Sequence, residues 1–118
     1  MKKHAVIILL IAILVPALMA ETEDITLTKA GQKFFEAGKY TEAIEKYDQA
    51  LMVNPDNYFT FQCSGEAYLK LGDKETALLQ FERSYNINPS PKTKQYIDDL
   101  RKTIRRSVGI LLIRPEGW

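Results

Sequence analysis

The sequence predicts an all-α fold, a solenoid of antiparallel helix pairs closed by a capping helix, and three observations lead to this prediction. After residue 20 the sequence repeats itself with a period of 34 residues. Within each copy, apolar and small residues recur at the spacing of an amphipathic helix, and glycine or proline separates these stretches. The 118 residues are 46% hydrophobic and 26% charged, which suits one small globular domain and is unlike a disordered chain.

Residues 1–20 differ in composition from the rest of the chain. Two lysines precede an unbroken apolar run from Ala5 to Val15, a proline ends that run, and a small residue stands at Ala20. This order is typical of a secretory signal peptide with cleavage after Ala20, although Leu18 occupies a position that favours a small residue. We therefore expect an exported, extracytoplasmic protein, either secreted or at the outer face of the cytoplasmic membrane.

The alternative for this segment is an uncleaved membrane anchor. Residues 5–19 would extend roughly 22 Å as a helix at about 1.5 Å per residue. The hydrocarbon core of a bilayer is about 30 Å thick, so the segment is short for a spanning helix and cleavage is favoured.

Removal of residues 1–20 would take away the only histidine, His4. The full sequence has a single cysteine, Cys63. Histidine-dependent catalysis, a histidine-bearing zinc site and an internal disulfide are then excluded. Acidic residues are scattered, and the sequence has neither a phosphate-binding glycine loop nor a metal-ligand cluster. We expect no enzyme, no cofactor and no metal. An inert, partly buried thiol is expected at Cys63, with a redox or cross-linking role as the alternative.

The 34-residue shift superimposes residues that matter for packing helices in pairs, and it needs no gap. The aligned pairs are Gly31 with Gly65, Phe34 with Tyr68, Gly38 with Gly72, Ala43 with Ala77, Tyr47 with Phe81, and Asn54-Pro55 with Asn88-Pro89. Small mid-helix residues allow two helices to approach closely, and we expect the aromatic residues to fill the core beside them.

Glycine and proline mark the predicted helix ends. Gly38 and Gly72 suit the left-handed position that ends the first helix of each copy. Pro55 and Pro89 end the second helix, because proline lacks a backbone donor and restricts the residue before it. The side chains that can cap the helices that follow are Asn57, Asp73 and Ser90.

The two copies share one signature of glycine, aromatic, alanine and proline positions. The first reads Gly31-x-x-Phe34-x-x-x-Gly38-x-Tyr40-x-x-Ala43-x-x-x-Tyr47-x-x-Ala50-x-x-x-x-Pro55, and the second reads Gly65-x-x-Tyr68-x-x-x-Gly72-x-x-x-x-Ala77-x-x-x-Phe81-x-x-Ser84-x-x-x-x-Pro89. This signature resembles the tetratricopeptide repeat. The resemblance implies a right-handed α-solenoid with one repeat over residues 24–57 and a second over residues 58–91.

A further amphipathic stretch follows the second repeat. Its apolar residues continue at helical spacing through Ile97, Leu100, Ile104 and Val108, without the glycine and alanine positions of a repeat. We predict a capping helix over residues 92–108, which covers the apolar edge of the array. Residues 109–118 are predicted to form a C-terminal tail.

The resemblance also implies that the first helix of each repeat lines a concave groove for a protein or peptide partner. The corresponding residues are Thr28, Lys29, Gln32, Phe35, Glu36, Gln62, Cys63, Glu66, Leu69 and Lys70. Relatives that clamp a C-terminal carboxylate place lysine, asparagine and arginine at five groove positions. Those positions hold Thr28, Gln32, Cys63, Thr93 and Ile97, so that clamp is not expected here.

Charge is polarised along the chain. Residues 21–82 contain 6 lysines and 12 acidic residues, whereas residues 83–118 contain 8 basic and 3 acidic residues. The predicted basic face consists of Arg101, Lys102, Arg105 and Arg106. It is either a solvated helix face or a docking surface for anionic lipid or an acidic partner, and nucleic acid is not expected.

The function that we predict is a non-catalytic scaffold that binds a partner segment in its groove. Because solenoids usually need about three repeats for stability, the alternative is a structural subunit that self-association completes. A membrane-tethered accessory protein is the further alternative, in which the first 20 residues remain attached.

Overall fold

A computed structural model describes residues 2–19 and 21–112, and it describes the side chains of residues 3–14 and 21–109. Within those ranges the chain is helical, with turns and short connections and without a β-strand. The six helices are α1 (Lys2–Met19), α2 (Glu23–Glu36), α3 (Tyr40–Val53), α4 (Tyr58–Leu71), α5 (Lys74–Ile87) and α6 (Pro91–Leu112). From α2 onward each helix packs against the next one in sequence, and α2 also contacts α4, which is the local topology of a solenoid.

Helix α1 corresponds to the predicted signal segment. It continues past Pro16 to Met19, since a proline in the last turn removes only one backbone donor. Its described side chains, from residue 3 to residue 14, are all exposed, including a continuous apolar surface. Among the helices in the described ranges, none meets the length and apolarity that a membrane span requires.

The predicted helix ends and caps are confirmed. Gly38 and Gly72 have φ values of 76° and 83°, in the left-handed region that favours glycine. The Asn57 side chain accepts a hydrogen bond from the Thr60 backbone at the start of α4, at 3.1 Å. The corresponding pairs are Asp73 with Thr76 at 3.0 Å and Ser90 with Thr93 at 3.1 Å.

In each repeat a glycine of the first helix packs against an aromatic ring of the second helix. A Cβ added to Gly31 would lie 2.4 Å from Cε1 of Tyr47, and one added to Gly65 would lie 2.9 Å from the Phe81 ring. Both rings are buried, so the absence of a side chain at the glycine is what allows the two helices to approach. The predicted core role of these aromatic residues is confirmed.

Two apolar clusters fill the interior. The first contains Ala43, Ile44, Tyr47, Cys63 and Ala67 and joins α2, α3 and α4 through partly buried neighbours. The second contains Ala77, Phe81, Ile97 and Leu100 and joins α4, α5 and α6. In the second cluster the ring of Tyr96 stacks on Phe81, with centroids 4.5 Å apart and an interplanar angle of 4°.

Helix α6 is longer than the sequence predicts. The prediction ended the capping helix at residue 108 and assigned residues 109–118 to a tail, but the helix continues through Gly109 to Leu112. Arg106 stands at the position that Gly38 and Gly72 occupy in the two repeats, so no residue suited to a left-handed turn stops the helix there. Gly109 in a helix costs only about 1 kcal/mol relative to alanine. Residues 113–118 lie outside the described part of the chain.

Candidate functional site

A cavity of about 230 Å³ opens between helices α2, α3 and α4. Its lining residues are Gln32, Phe35, Glu36, Tyr47, Cys63 and Glu66. Five of these six belong to the ten groove positions predicted from the sequence. The structure therefore brings half of the predicted set around one opening, which polar side chains and two aromatic rings line.

Tyr47 lines this cavity although sequence reasoning assigned it only to the core. Its side chain is 1% exposed, and burial raises its pKa, with the nearby Cys63, Glu66 and Glu36 adding to the shift. The alignment of Tyr47 with Phe81 is the signal that could have identified this position, because only the first repeat carries a hydroxyl there.

Cys63 forms part of the same wall and is 8% exposed. Burial, followed by the charge of Glu66, raises the pKa of the thiol to about 12. The thiolate is the reactive form of cysteine, so a thiol with this pKa is protonated and unreactive at neutral pH. The inert thiol therefore remains the favoured interpretation.

Glu66 connects the cavity to the groove surface of α4 and α6. Its carboxylate accepts a hydrogen bond from Nε2 of Gln62 at 3.3 Å and lies 3.7 Å from Nζ of Lys92. The Lys92 ammonium also lies 5.9 Å from the centre of the Tyr96 ring. These contacts extend a mixed polar and aromatic surface from the cavity toward α6.

The remaining predicted groove residues lie away from the cavity. Thr28 is buried, donates to the backbone oxygen of Asp24 at 2.7 Å and contacts the Thr60 hydroxyl at 2.7 Å, so it joins α2 to α4. Lys29 is exposed and forms an ion pair with Glu21. Leu69 packs against the second apolar cluster, and Lys70 is exposed on α4.

The five positions that carry the carboxylate clamp in related proteins have other roles here. Thr28, Thr93 and Ile97 are buried at helix contacts, whereas Gln32 and Cys63 line the cavity. None of these side chains carries a positive charge. The described groove therefore lacks the cations that would attract a free carboxylate at these positions.

A buried carboxylate fixes the start of α2 to the α3–α4 turn. Asp24 is 4% exposed, and its Oδ2 accepts hydrogen bonds from Nδ2 of Asn54 and of Asn57, each at 2.9 Å. Stabilisation by Thr22, Asn54 and Asn57 lowers the pKa of Asp24 to about 2. This network holds α2 in the position from which it lines the cavity.

The predicted basic face is partly engaged within the fold. Nη2 of Arg101 donates to the Glu82 carboxylate at 2.8 Å, which ties α6 to α5. Lys102, Arg105 and Arg106 are exposed. Within the described ranges, no group of three or more histidine, cysteine or acidic side chains is arranged to hold a metal ion.

Stacked helix pairs with a lined groove define the class of helical-repeat scaffolds. Two family models of the tetratricopeptide repeat match the chain, one described as a TPR repeat over residues 31–60 and one as a tetratricopeptide repeat over residues 64–91. The chain therefore contains two tetratricopeptide repeats, and its fold is an all-α solenoid of these repeats.

Solved structures and curated proteins agree with this family. The first TPR of Spaghetti (RPAP3), bound to the HSP90 peptide SRMEEVD, has a TM-score of 0.65 and 25% identity over 71% of this chain and 69% of that chain. The second TPR of the same protein, bound to the same peptide, has a TM-score of 0.68, 24% identity and coverages of 72% and 80%.

Among curated proteins, the DnaJ homolog subfamily C member 7 homolog of Schizosaccharomyces pombe is 33% identical over 85 residues, which is 70% of this chain and 17% of that protein. The Superkiller complex protein 3 of Homo sapiens is 31% identical over 61 residues, which is 52% of this chain and 4% of that protein. The chain thus spans less than a fifth of the length of each of these curated relatives.

Proposed function

We propose that this protein is a non-catalytic interaction module that binds a segment of a partner protein in the groove formed by α2 and α4. The observation that carries the proposal is the cavity, whose lining combines the exposed carboxylate of Glu36, the half-buried carboxylate of Glu66, the amide of Gln32 and two aromatic rings. Such a wall can receive a side chain of a bound segment and hydrogen-bond its backbone.

The structural neighbours support a peptide partner, and the side chains of this chain restrict which part of a peptide is recognised. Two TPR domains of similar fold are bound to an HSP90 peptide. The clamp positions of this chain are uncharged, so we propose a partner that is recognised through side chains in the cavity rather than through a free C-terminal carboxylate.

Substitution of the polar side chains that line the cavity tests this function. The groove variant carries Gln32→Ala, Glu36→Ala and Glu66→Ala, and the matched control carries Glu45→Ala, Gln49→Ala and Glu75→Ala on exposed positions of α3 and α5. We expect partners captured by the wild-type protein to be lost from the groove variant and retained by the control. Equal retention by both variants would place the binding site outside the groove.

We also propose that the module is exported, on the basis of the composition of residues 1–20. Export followed by cleavage predicts a mature chain that begins at Glu21, and intact-mass measurement of the protein from its native source detects it. A mature chain that retains residues 1–20 would contradict cleavage and favour a tethered accessory protein.

A further inference from the structure

The cavity between α2, α3 and α4 is small, and its lining is rich in hydrogen-bond acceptors. Its volume is about 230 Å³, whereas sites for whole small-molecule ligands occupy roughly 300–1,000 Å³. The cavity therefore suits one extended side chain of a bound segment. The acceptors are the carboxylates of Glu36 and Glu66, the amide oxygen of Gln32 and the hydroxyl oxygen of Tyr47. Among the described residues that line it, none is a lysine or an arginine.

The Tyr47 hydroxyl is a buried polar group that lacks a partner. The residue is 1% exposed, and its hydroxyl forms no hydrogen bond within the described part of the chain. Burial raises the pKa of Tyr47, and the groups that add to the rise, Cys63, Glu66 and Glu36, all line the cavity. The hydroxyl therefore lies on the cavity side of the ring. A ligand atom that hydrogen-bonds it there would satisfy a group that is costly to leave unpaired.

The cavity carries negative charge that its surroundings compensate only in part. Glu36 forms no ion pair within the described residues, and Glu66 has one cationic neighbour, the Lys92 ammonium at 3.7 Å. The Lys92 side chain is 64% exposed and does not belong to the lining. Because an ion pair in contact with water contributes little, this single lysine leaves the two carboxylates available to a ligand cation.

An aromatic ring beside the acceptors provides a surface for the carbon chain of such a ligand. Phe35 is half-buried in the lining, and an edge-to-face contact with Tyr40 fixes its ring, with centroids 5.2 Å apart. Lysine and arginine pack their methylene groups on apolar surface while the charged end reaches polar groups. Their charged ends are also attracted to aromatic faces.

We propose that the cavity receives a lysine or arginine side chain of the bound segment, at the position where the segment faces Glu36, Glu66 and Tyr47. This inference rests on the proposed function of the groove and specifies the side chain that enters it. An ammonium or guanidinium group donates several hydrogen bonds and accepts none, which matches a lining of acceptors. An acidic side chain would be repelled by both carboxylates, and an aliphatic one would leave the acceptors without partners.

Selection of peptides by the full chain tests the proposal. The probe is a phage-displayed library of random peptides, each joined to the coat protein at its C-terminus so that it has no free carboxylate. The cavity variant carries Glu36→Gln and Glu66→Gln, which keep the shape of the side chains and remove their charge. The control variant carries Glu45→Gln and Glu75→Gln, on exposed positions of α3 and α5. Circular dichroism checks that all three proteins fold alike.

We expect the wild-type protein and the control variant to enrich peptides with lysine or arginine at one fixed position. The cavity variant should lose this preference, because its lining no longer carries a negative charge. Since the apolar surface of α1 can also select peptides, only a preference that differs between the wild type and the cavity variant is assigned to the cavity.

Calorimetry with a synthetic copy of an enriched peptide measures the size of the effect. Norleucine in place of lysine, or citrulline in place of arginine, keeps the length of the side chain and removes its charge. We expect the wild type and the control variant to bind the neutral copy on the order of 10-fold more weakly than the basic peptide. The cavity variant should bind both copies with nearly equal affinity.

Two results would overturn the proposal while leaving the groove function intact. One is enrichment of peptides that the groove variant fails to bind but that share no basic position. The other is a loss of affinity for the neutral copy that is equal in the wild type and the cavity variant. If the wild type enriched no peptide at all, the groove function itself would be contradicted, and this proposal with it.

Discussion

The two repeats have the same helix arrangement, but they contact the helix that follows them in different ways. We call the contact of the first repeat with α4 the first junction and the contact of the second repeat with α6 the second junction. Both repeats set a glycine against an aromatic ring, with the same register 34 residues apart. Beyond that shared contact, the first repeat meets α4 through the Asp24 network and leaves a cavity beside Cys63. The second repeat meets α6 through stacked rings and the apolar side chains of Ile97 and Leu100.

This difference distinguishes the residues that pack the solenoid from the residues that line its cavity. The cavity residues Cys63 and Glu66 correspond by the repeat register to Ile97 and Leu100, which belong to the second apolar cluster. Side chains at these two positions therefore determine whether the space between successive first helices is open and polar or closed and apolar. The first junction remains available for a ligand, whereas the second serves as the end of the core.

The largest effect is expected from breaking the contact that the repeats share. Gly31→Ala places a Cβ 2.4 Å from the buried Tyr47 ring, and we expect a loss of about 3 kcal/mol in the free energy of unfolding. Gly65→Ala, with a closest approach of 2.9 Å to Phe81, should cost less, about 2 kcal/mol. Urea denaturation monitored by circular dichroism measures both.

Gly109→Ala is the control for these substitutions, because a Cβ there meets nothing within 4 Å. Alanine should stabilise this helical position by up to about 1 kcal/mol. If Gly31→Ala changed the free energy of unfolding by a similarly small amount, the Tyr47 ring would be able to move aside. The contact between glycine and ring would then not be a requirement that both repeats share.

The next effect concerns the polar network found only at the first junction. Asp24→Asn removes the charge that Asn54 and Asn57 stabilise, and we expect a loss of about 2 kcal/mol at pH 7. The pKa of Asp24 falls from 3.8 to about 2 on folding, so its stabilisation is complete above pH 3.8 and is lost as the pH falls toward 2.

The difference between wild type and Asp24→Asn should therefore shrink as denaturation is repeated from pH 7 down to pH 2. Asp56→Asn, on the exposed turn between α3 and α4, serves as the control and should change stability by less than about 0.5 kcal/mol at each pH. A wild-type advantage that is independent of pH would show that the carboxylate charge contributes nothing at this junction.

The smallest effect on stability is expected when a residue of the first junction is replaced by the residue at the corresponding position of the second. The same substitution should have a large effect on partner binding. Cys63→Ile introduces the residue found at Ile97 and extends it into the adjoining cavity. We expect stability within about 1 kcal/mol of wild type, because the cavity can accept the added methyl groups. Partner capture should be lost, with Cys63→Ala as a variant that keeps the cavity open. Capture by Cys63→Ile at the wild-type level would show that partners do not enter the cavity.

Local features of this fold were predictable because they depend on residues close in sequence. The caps at Asn57, Asp73 and Ser90 each act on a backbone group three residues later, and the left-handed glycines end their own helices. The repeat register supplied the rest of the helix pairing. The length of α6 was not predicted, because the predicted helix ends before Gly109 although glycine costs little within a helix.

The candidate site was predicted in part, because a helix position does not fix which neighbour a side chain meets. Thr28 was assigned to the groove by its register, but Thr60 lies opposite and the two hydroxyls form a buried contact. Asp24 gained its role from two amides at least 30 residues away, and nothing near it in the sequence indicates them. Tyr47 is predicted as a core residue, and in the structure it belongs to the first apolar cluster and also lines the cavity.

Arg106 has a consequence for how such a protein could lengthen by duplication. The repeats end their first helices at glycine, and the single replacement by arginine at the third such position accompanies a helix that runs on to Leu112. A duplicated unit inserted ahead of Pro91 would keep both ends of the array intact, whereas a unit appended after Leu112 would have to follow an overlong helix. The helix ends therefore favour an additional repeat placed inside the array over one appended after α6.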